Sequence, residues 1–190
     1  MKDNIEKKPK KIMLPITQEQ ARELKAGEKL LLSGVIYTAR DAAHKRIIEE
    51  NQEGKAFPVD MQNIAIYYAG PAPNKPGKVI GSCGPTTSGR MDAYAPTFMK
   101  WGQTMMIGKG LRNQAVIEAM KQYGAIYVTA IGGAGALISK CVKGMSLIAY
   151  EDLGAEAIYK LVVEDMPVIV TIDSHGNNLY ETEKEKYAIY

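Results

Sequence analysis

Residues 30–54, LLLSGVIYTARDAAHKRIIEENQEG, carry the rhythm on which the fold turns. Leu30 to Thr38 is apolar and partly β-branched, the composition of a strand. Arg40 and Asp41 then open a helix through Ala42, Ala43, Ile47 and Ile48, ended near Gly54. The same alternation runs outward in both directions. Upstream, Thr17 and Gln20 have the spacing of a capping box, and the short helix behind them is expected to stop near Gly27. Downstream, extended segments are expected at 63–68, 78–81, 104–107, 125–131, 161–163 and 168–172. Helical segments are expected over 113–123, with apolar spacing at Val116, Ile117 and Met120, and up to Cys141. Asp173-Ser-His-Gly176 reads as a turn. Strands and helices in alternation make an α/β fold.

Composition sets the bounds. A chain of 190 residues is about one domain, or one and a small lobe. A net charge of +3 is too slight for a nucleic-acid partner, which asks for a clustered basic face. No apolar run approaches the roughly 20 residues of a membrane helix. The polar start is unlike a signal peptide. Residues 1–14 are expected to be a flexible basic tail, in which Lys2, Lys7, Lys8, Lys10 and Lys11 alternate with Asp3 and Glu6. Residues 181–190 are expected to be a charged, mobile tail, leaving 15–180 as the domain. Cys83 and Cys141 are too few for a disulfide framework or for a complete cysteine-ligated cluster. A reduced, cytoplasmic protein is the expectation.

Three loops share one property: each begins where a strand is expected to end and sets cationic or hydroxyl side chains beside small residues. They are Thr38-Ala-Arg40, Gly84-Pro-Thr-Thr-Ser-Gly-Arg90 and Gly108-Lys-Gly110. Ligands gather outside the carboxyl ends of strands in open α/β sheets. Arg40, Arg90 and Lys109 therefore point to a small dianion: each arginine grips a carboxylate in a planar fork, and the lysine adds a compact positive charge. Bland readings stand beside each element. Arg40 also reads as a surface residue at a helix start, Thr86 and Thr87 as turn caps, and Lys109 as a solvated loop lysine. Cys83 reads as a small buried hydrophobe rather than a catalytic thiol, His44 as structural and His175 as exposed. Gly132-Gly-Ala-Gly135 lacks the GxGxxG spacing of a dinucleotide loop.

The stretch GSCGPTTSGRMDAYAP (Gly81–Pro96), with TARDAAHKR (Thr38–Arg46) before it and IGKG (Ile107–Gly110) after it, resembles the beta subunit of the iron–sulfur hydro-lyases. That family holds the class I fumarate hydratases and the L-tartrate dehydratases. The resemblance continues through AYEDLGAEAI (Ala149–Ile158) and VEDMPVIVTIDSHGN (Val163–Asn177), and so covers about residues 15–180.

This resemblance implies a layered swivelling β/β/α domain and the reversible hydration of fumarate to L-malate, or the corresponding dehydration of L-tartrate. A four-iron, four-sulfur cluster would be bound by a partner alpha subunit with three cluster cysteines, not by this chain, and the pair would double into a heterotetramer. Arg40 and Arg90 match the arginines that hold the carboxylates of a C4-dicarboxylate. Lys109 matches the lysine that neutralises the enolate-like intermediate, and Thr86 and Thr87 match the paired threonines of the GPTT turn. Thr86 is the position of the proposed base, which needs nearby cations and a partner group to lower its pKa. Leu111-Arg112-Asn113 after GKG is a stretch the family does not hold invariant, which bears on substrate preference rather than reaction class. The other reading is a cluster-free dicarboxylate-binding protein that works alone.

Overall fold

In the computed structural model, which describes residues 8–74, 76–130 and 135–187 with side chains through 183, the sheet grows from β2 (Lys29–Thr38). One edge of β2 pairs in parallel first with β1 (Lys10–Leu14) and then with β3 (Ala65–Tyr67). Beyond β3 lie β4 (Met105–Gly108) and β5 (Ile126–Thr129), also parallel. The other edge of β2 pairs antiparallel with β7 (Ile158–Ile172), which also pairs with β5 and with β6 (Val142–Ala149). The order β1-β2-β3-β4-β5-β7-β6, with β2 also bonded to β7, closes a small five-stranded barrel of β2, β3, β4, β5 and β7.

Period-two patterning fills the two sides of this ring. Leu30, Leu32 and Ile36 of β2 share one buried cluster with Tyr67, Ile107, Val128 and Leu161, which is the barrel interior. Their neighbours Ile66, Met106 and Tyr127 face outward into a second cluster. That outer cluster is completed by α2 (Asp41–Gln52), α3 (Ala95–Lys100) and α4 (Gln114–Tyr123), through Ala43, Phe98 and Met120. The outcome is the expected α/β class. Gly34 shows how closely β1 is laid against β2. It sits at a bulge with φ of +118°, and a Cβ there would lie 2.5 Å from the Leu14 carbonyl oxygen.

Local signals act as the residue types demand. Thr17 caps α1 (Gln18–Glu23) reciprocally with Gln20, and Asn113 caps α4 through the Val116 amide at 2.9 Å. The Asp173 carboxylate gathers the amides of Ala26, His175 and Asn177 into the expected turn. Burial would raise its pKa, but the Asn177 side chain and those amides hold it low.

Several expectations are corrected. Residues 78–81 are not a strand. The segments 161–163 and 168–172 are one strand, β7, because Asp165 between them donates its amide to Ser33 Oγ at 3.0 Å and the pairing with β2 runs through. β6 had no clear apolar signature because it is an edge strand with half of its residues exposed and only Val142 buried. Ordered structure starts inside the segment 1–14: residues 10–14 form β1, with Leu14 in the barrel core. At the other end, α6 (Leu179–Tyr187) runs into the segment 181–190. Lys2, Asp3, Glu6, Lys7 and Gly132-Gly-Ala134 lie outside the described residues. Among the described residues no helix is long and apolar enough to cross a membrane.

Candidate functional site

Because β2, β3 and β4 are parallel and in register, with Thr38 opposite Tyr67 and Tyr67 opposite Ile107, their carboxyl ends share one edge. Arg40 lies two residues beyond β2, and Lys109 is the first residue beyond β4. The third loop arrives by another route. With no strand behind it, the GPTTSGR segment is laid across the strand ends by isolated bridges, Ala69 to Pro85 and Thr87 to Lys109. The Thr86 amide donates to the Tyr68 carbonyl at 2.7 Å. A 3-10 helix (Ser88–Met91) then carries Arg90.

Arg40 and Arg90 meet over Asp41. Arg40 Nη2 is 3.9 Å from Asp41 Oδ1, and Arg90 Nη2 is 3.8 Å from Asp41 Oδ2. Arg40 is held more firmly by Glu156, at 3.0 Å, and the other Glu156 oxygen accepts the Ala42 amide at the start of α2. The Arg90 side chain is 53% exposed, so its long contact with Asp41 is a weak, screened one that leaves it free for another anion.

Lys109 has no ion-pair partner among the described residues. Its backbone is locked to Ser88: the Lys109 amide donates to Ser88 Oγ at 3.0 Å, and the Ser88 amide donates to the Lys109 carbonyl at 2.9 Å. Tyr127, reaching up from β5, donates to the Gly110 carbonyl at 2.9 Å and lies 3.0 Å from Ser88 Oγ. Gly108 permits this approach, since a Cβ there would sit 2.0 Å from Ser88 Oγ. Thr86 is half-buried and Thr87 exposed. One strand-end edge thus gathers Arg40, Arg90, Lys109 and two threonine hydroxyls, three cations against the two carboxylates of Asp41 and Glu156. That surplus suits an anion with carboxylate groups.

Other candidates settle elsewhere. His44 is buried, its Nδ1–H donating to the Arg40 carbonyl at 2.8 Å, and its ring packs on Phe98 with centroids 4.4 Å apart. Burial brings its pKa down to about 4, so it is a neutral strut under Arg40. Cys83 is buried in the barrel core, and burial pushes its thiol up to about 12. His175 is exposed. The site roles of Asp41, Ser88, Tyr127 and Glu156 escaped sequence reasoning, although Asp41, Ser88 and Glu156 stand inside quoted motifs.

A family model described as Fumarase C-terminus matches residues 1–183. The chain belongs to that family. Among curated relatives, fumarate hydratase 2 of Leishmania major is 38% identical over 165 residues, covering 86% of this chain and 29% of that protein. The aerobic class I fumarate hydratase of Escherichia coli is 38% identical over 164 residues, covering 85% and 30%. A putative L(+)-tartrate dehydratase subunit beta of Methanocaldococcus jannaschii is 37% identical over 177 residues, covering 90% of this chain and 91% of that protein. The chain thus spans under a third of the fumarate hydratases it matches but nearly all of the beta subunit. The Fumarase C-terminus residues described here do not fit an iron–sulfur cluster. Among them no three His, Cys, Asp or Glu side chains group as metal ligands, and Cys83 is a protonated core residue.

Proposed function

We propose that this chain is the beta subunit of a class I fumarate hydratase, active with an alpha subunit that carries a four-iron, four-sulfur cluster on three cysteines. The observation that carries this reading is the convergence of Arg40, Arg90, Lys109 and the Thr86–Thr87 pair at the carboxyl ends of adjoining parallel strands. The reaction adds water across the double bond of fumarate, forming one C–O and one C–H bond, and its reverse removes both from L-malate. In this chain's share of the work, Arg40 and Arg90 each hold a carboxylate. Lys109, on a backbone already locked to Ser88, faces the negative charge that builds beside the carboxylate as the carbon-bound proton leaves. Thr86 receives that proton, with its hydroxyl made more acidic by the cations and by a group from the partner. A cluster held by the partner would supply a Lewis acid for the substrate hydroxyl. A cytoplasmic heterotetramer of two alpha and two beta chains is the assembly this implies.

One observation favours a second substrate within the same chemistry. The relative of matching length is named for L-tartrate. Anaerobic co-expression with the candidate alpha chain, followed by the absorbance of fumarate on adding L-malate, tests both. Fumarate appearing only with both chains and an intact cluster supports the proposal. Turnover of L-tartrate alone moves the substrate, and silence with every C4-dicarboxylate despite a loaded complex overturns the enzymatic reading in favour of a dicarboxylate-binding protein.

A further inference from the structure

Beneath the candidate site, Asp92 and Arg112 form an ion pair with no part in the chemistry above. The Arg112 side chain is 0% exposed and that of Asp92 10%. Arg112 Nε donates to Asp92 Oδ1 at 2.6 Å, and the Asn113 amide donates to Asp92 Oδ2 at 2.7 Å. The guanidinium lies between two tyrosine rings, 5.4 Å from the centroid of Tyr68 and 5.1 Å from that of Tyr127, with Nη1 3.2 Å from Met106 Sδ. Asp92 immediately follows the 3-10 helix that carries Arg90, and Arg112 stands three residues after Lys109.

A buried ion pair is a poor device for stability alone, because apolar side chains of similar volume often do as well once desolvation is counted. What it does supply is spacing. A planar guanidinium over two tyrosine rings and bonded to a carboxylate has a restricted orientation, and a carboxylate with both oxygens engaged has little freedom.

We infer that Asp92 and Arg112 are positioning residues, a buried clamp that sets the Arg90 segment against the Lys109 loop. The inference rests on the dicarboxylate reading for its catalytic meaning, but its geometry is testable without it. The clamp reaches the Ser88–Lys109 pair through Tyr127, whose ring centroid lies 5.1 Å from the guanidinium and whose hydroxyl is 3.0 Å from Ser88 Oγ, so releasing it loosens that pair first. Lys109 faces charge that is absent from the bound substrate and builds as the proton leaves, so a loosened Lys109 costs turnover more than substrate affinity.

The test compares the 190-residue chain with Asp92→Asn, which removes the charge at constant shape, and with Arg112→Lys, a milder change that keeps the charge and loses the planar fork. Amide hydrogen exchange is followed residue by residue, and the reconstituted alpha–beta complex is assayed with L-malate. The expected result is exchange at Ser88 and Lys109 faster by about tenfold or more, with the β4 and β5 core amides unchanged. In the complex kcat falls by about tenfold to a hundredfold while KM moves by less than about threefold. Unchanged exchange at Ser88 and Lys109 in both variants overturns the inference, as does a uniform rise across the sheet, which marks a purely structural pair. If Asp92→Asn does not fold, Arg112→Lys decides alone by the same criteria. A wild-type complex without activity counts against the dicarboxylate reading, and the exchange data still judge the clamp.

Discussion

Arg90 and Gly108 illustrate opposite ways in which one residue matters to the site. The Arg90 side chain is half in solvent and makes one long ionic contact, so Arg90→Ala should leave stability within about 0.5 kcal/mol. Dicarboxylate affinity in calorimetry, and turnover in the complex, should both collapse. A melting temperature lowered as far as by a core truncation would make Arg90 structural instead. Gly108→Ala does the reverse. Its new methyl group would overlap Ser88 Oγ, so a loss of about 1–3 kcal/mol in urea unfolding is expected, along with displacement of Lys109. Sequence reasoning reached Arg40, Arg90 and Lys109 because cationic residues beside small ones, in loops expected to follow strands, suit an anion site. It passed over Ser88 and Tyr127, whose importance comes from a contact across 39 residues of chain that no local pattern records.

Helix α2 shows what is settled at the level of an element. Its apolar spacing and its start at Arg40–Asp41 were legible, and its seat on the sheet depends on a histidine that composition alone did not place. His44 titrates near 6.5 in the unfolded chain and at about 4 when folded, so between those values the unfolded chain binds more protons. Its contribution to stability is complete above about pH 6.5, drains away as the pH falls through that window, and is gone below about 4. The total is on the order of 3 kcal/mol. His44→Phe should therefore unfold in urea with less pH dependence from pH 7 to 4 than the wild type, and equal slopes would show that the ring does not titrate with folding. The elements that went unread were weak for a common reason: β6 is a largely solvent-facing edge strand, and the loop from 78 to 90 is held by bridges to Ala69 and Lys109, just beyond β3 and β4, rather than by a periodicity of its own.

For the whole molecule, the class was visible in the alternation of strands and helices, whereas closure of the sheet on itself was not. Period-two patterning reports that a strand has an inner and an outer face, and says nothing of which strand lies beside it. Leu32, wholly buried in the ring, tests that closure. Leu32→Ala should cost about 2–5 kcal/mol, because a closed barrel has little room to collapse onto the gap. A cost below about 1 kcal/mol in equilibrium unfolding would mean a ring loose enough to repack.

β7 has a consequence for how the protein comes into being. It is the seventh strand in chain order, and it pairs Leu30 with Val168 and Val128 with Val170. Contacts joining such distant parts of a chain form late, after the loop between them has been paid for in entropy. On the ribosome, the strand that seals the ring is made after every residue proposed for the site, from Arg40 to Glu156, has already been added to the chain. A nascent chain paused before Ile158 thus holds all the side chains of the site and lacks the strand that would bring the barrel around to support them.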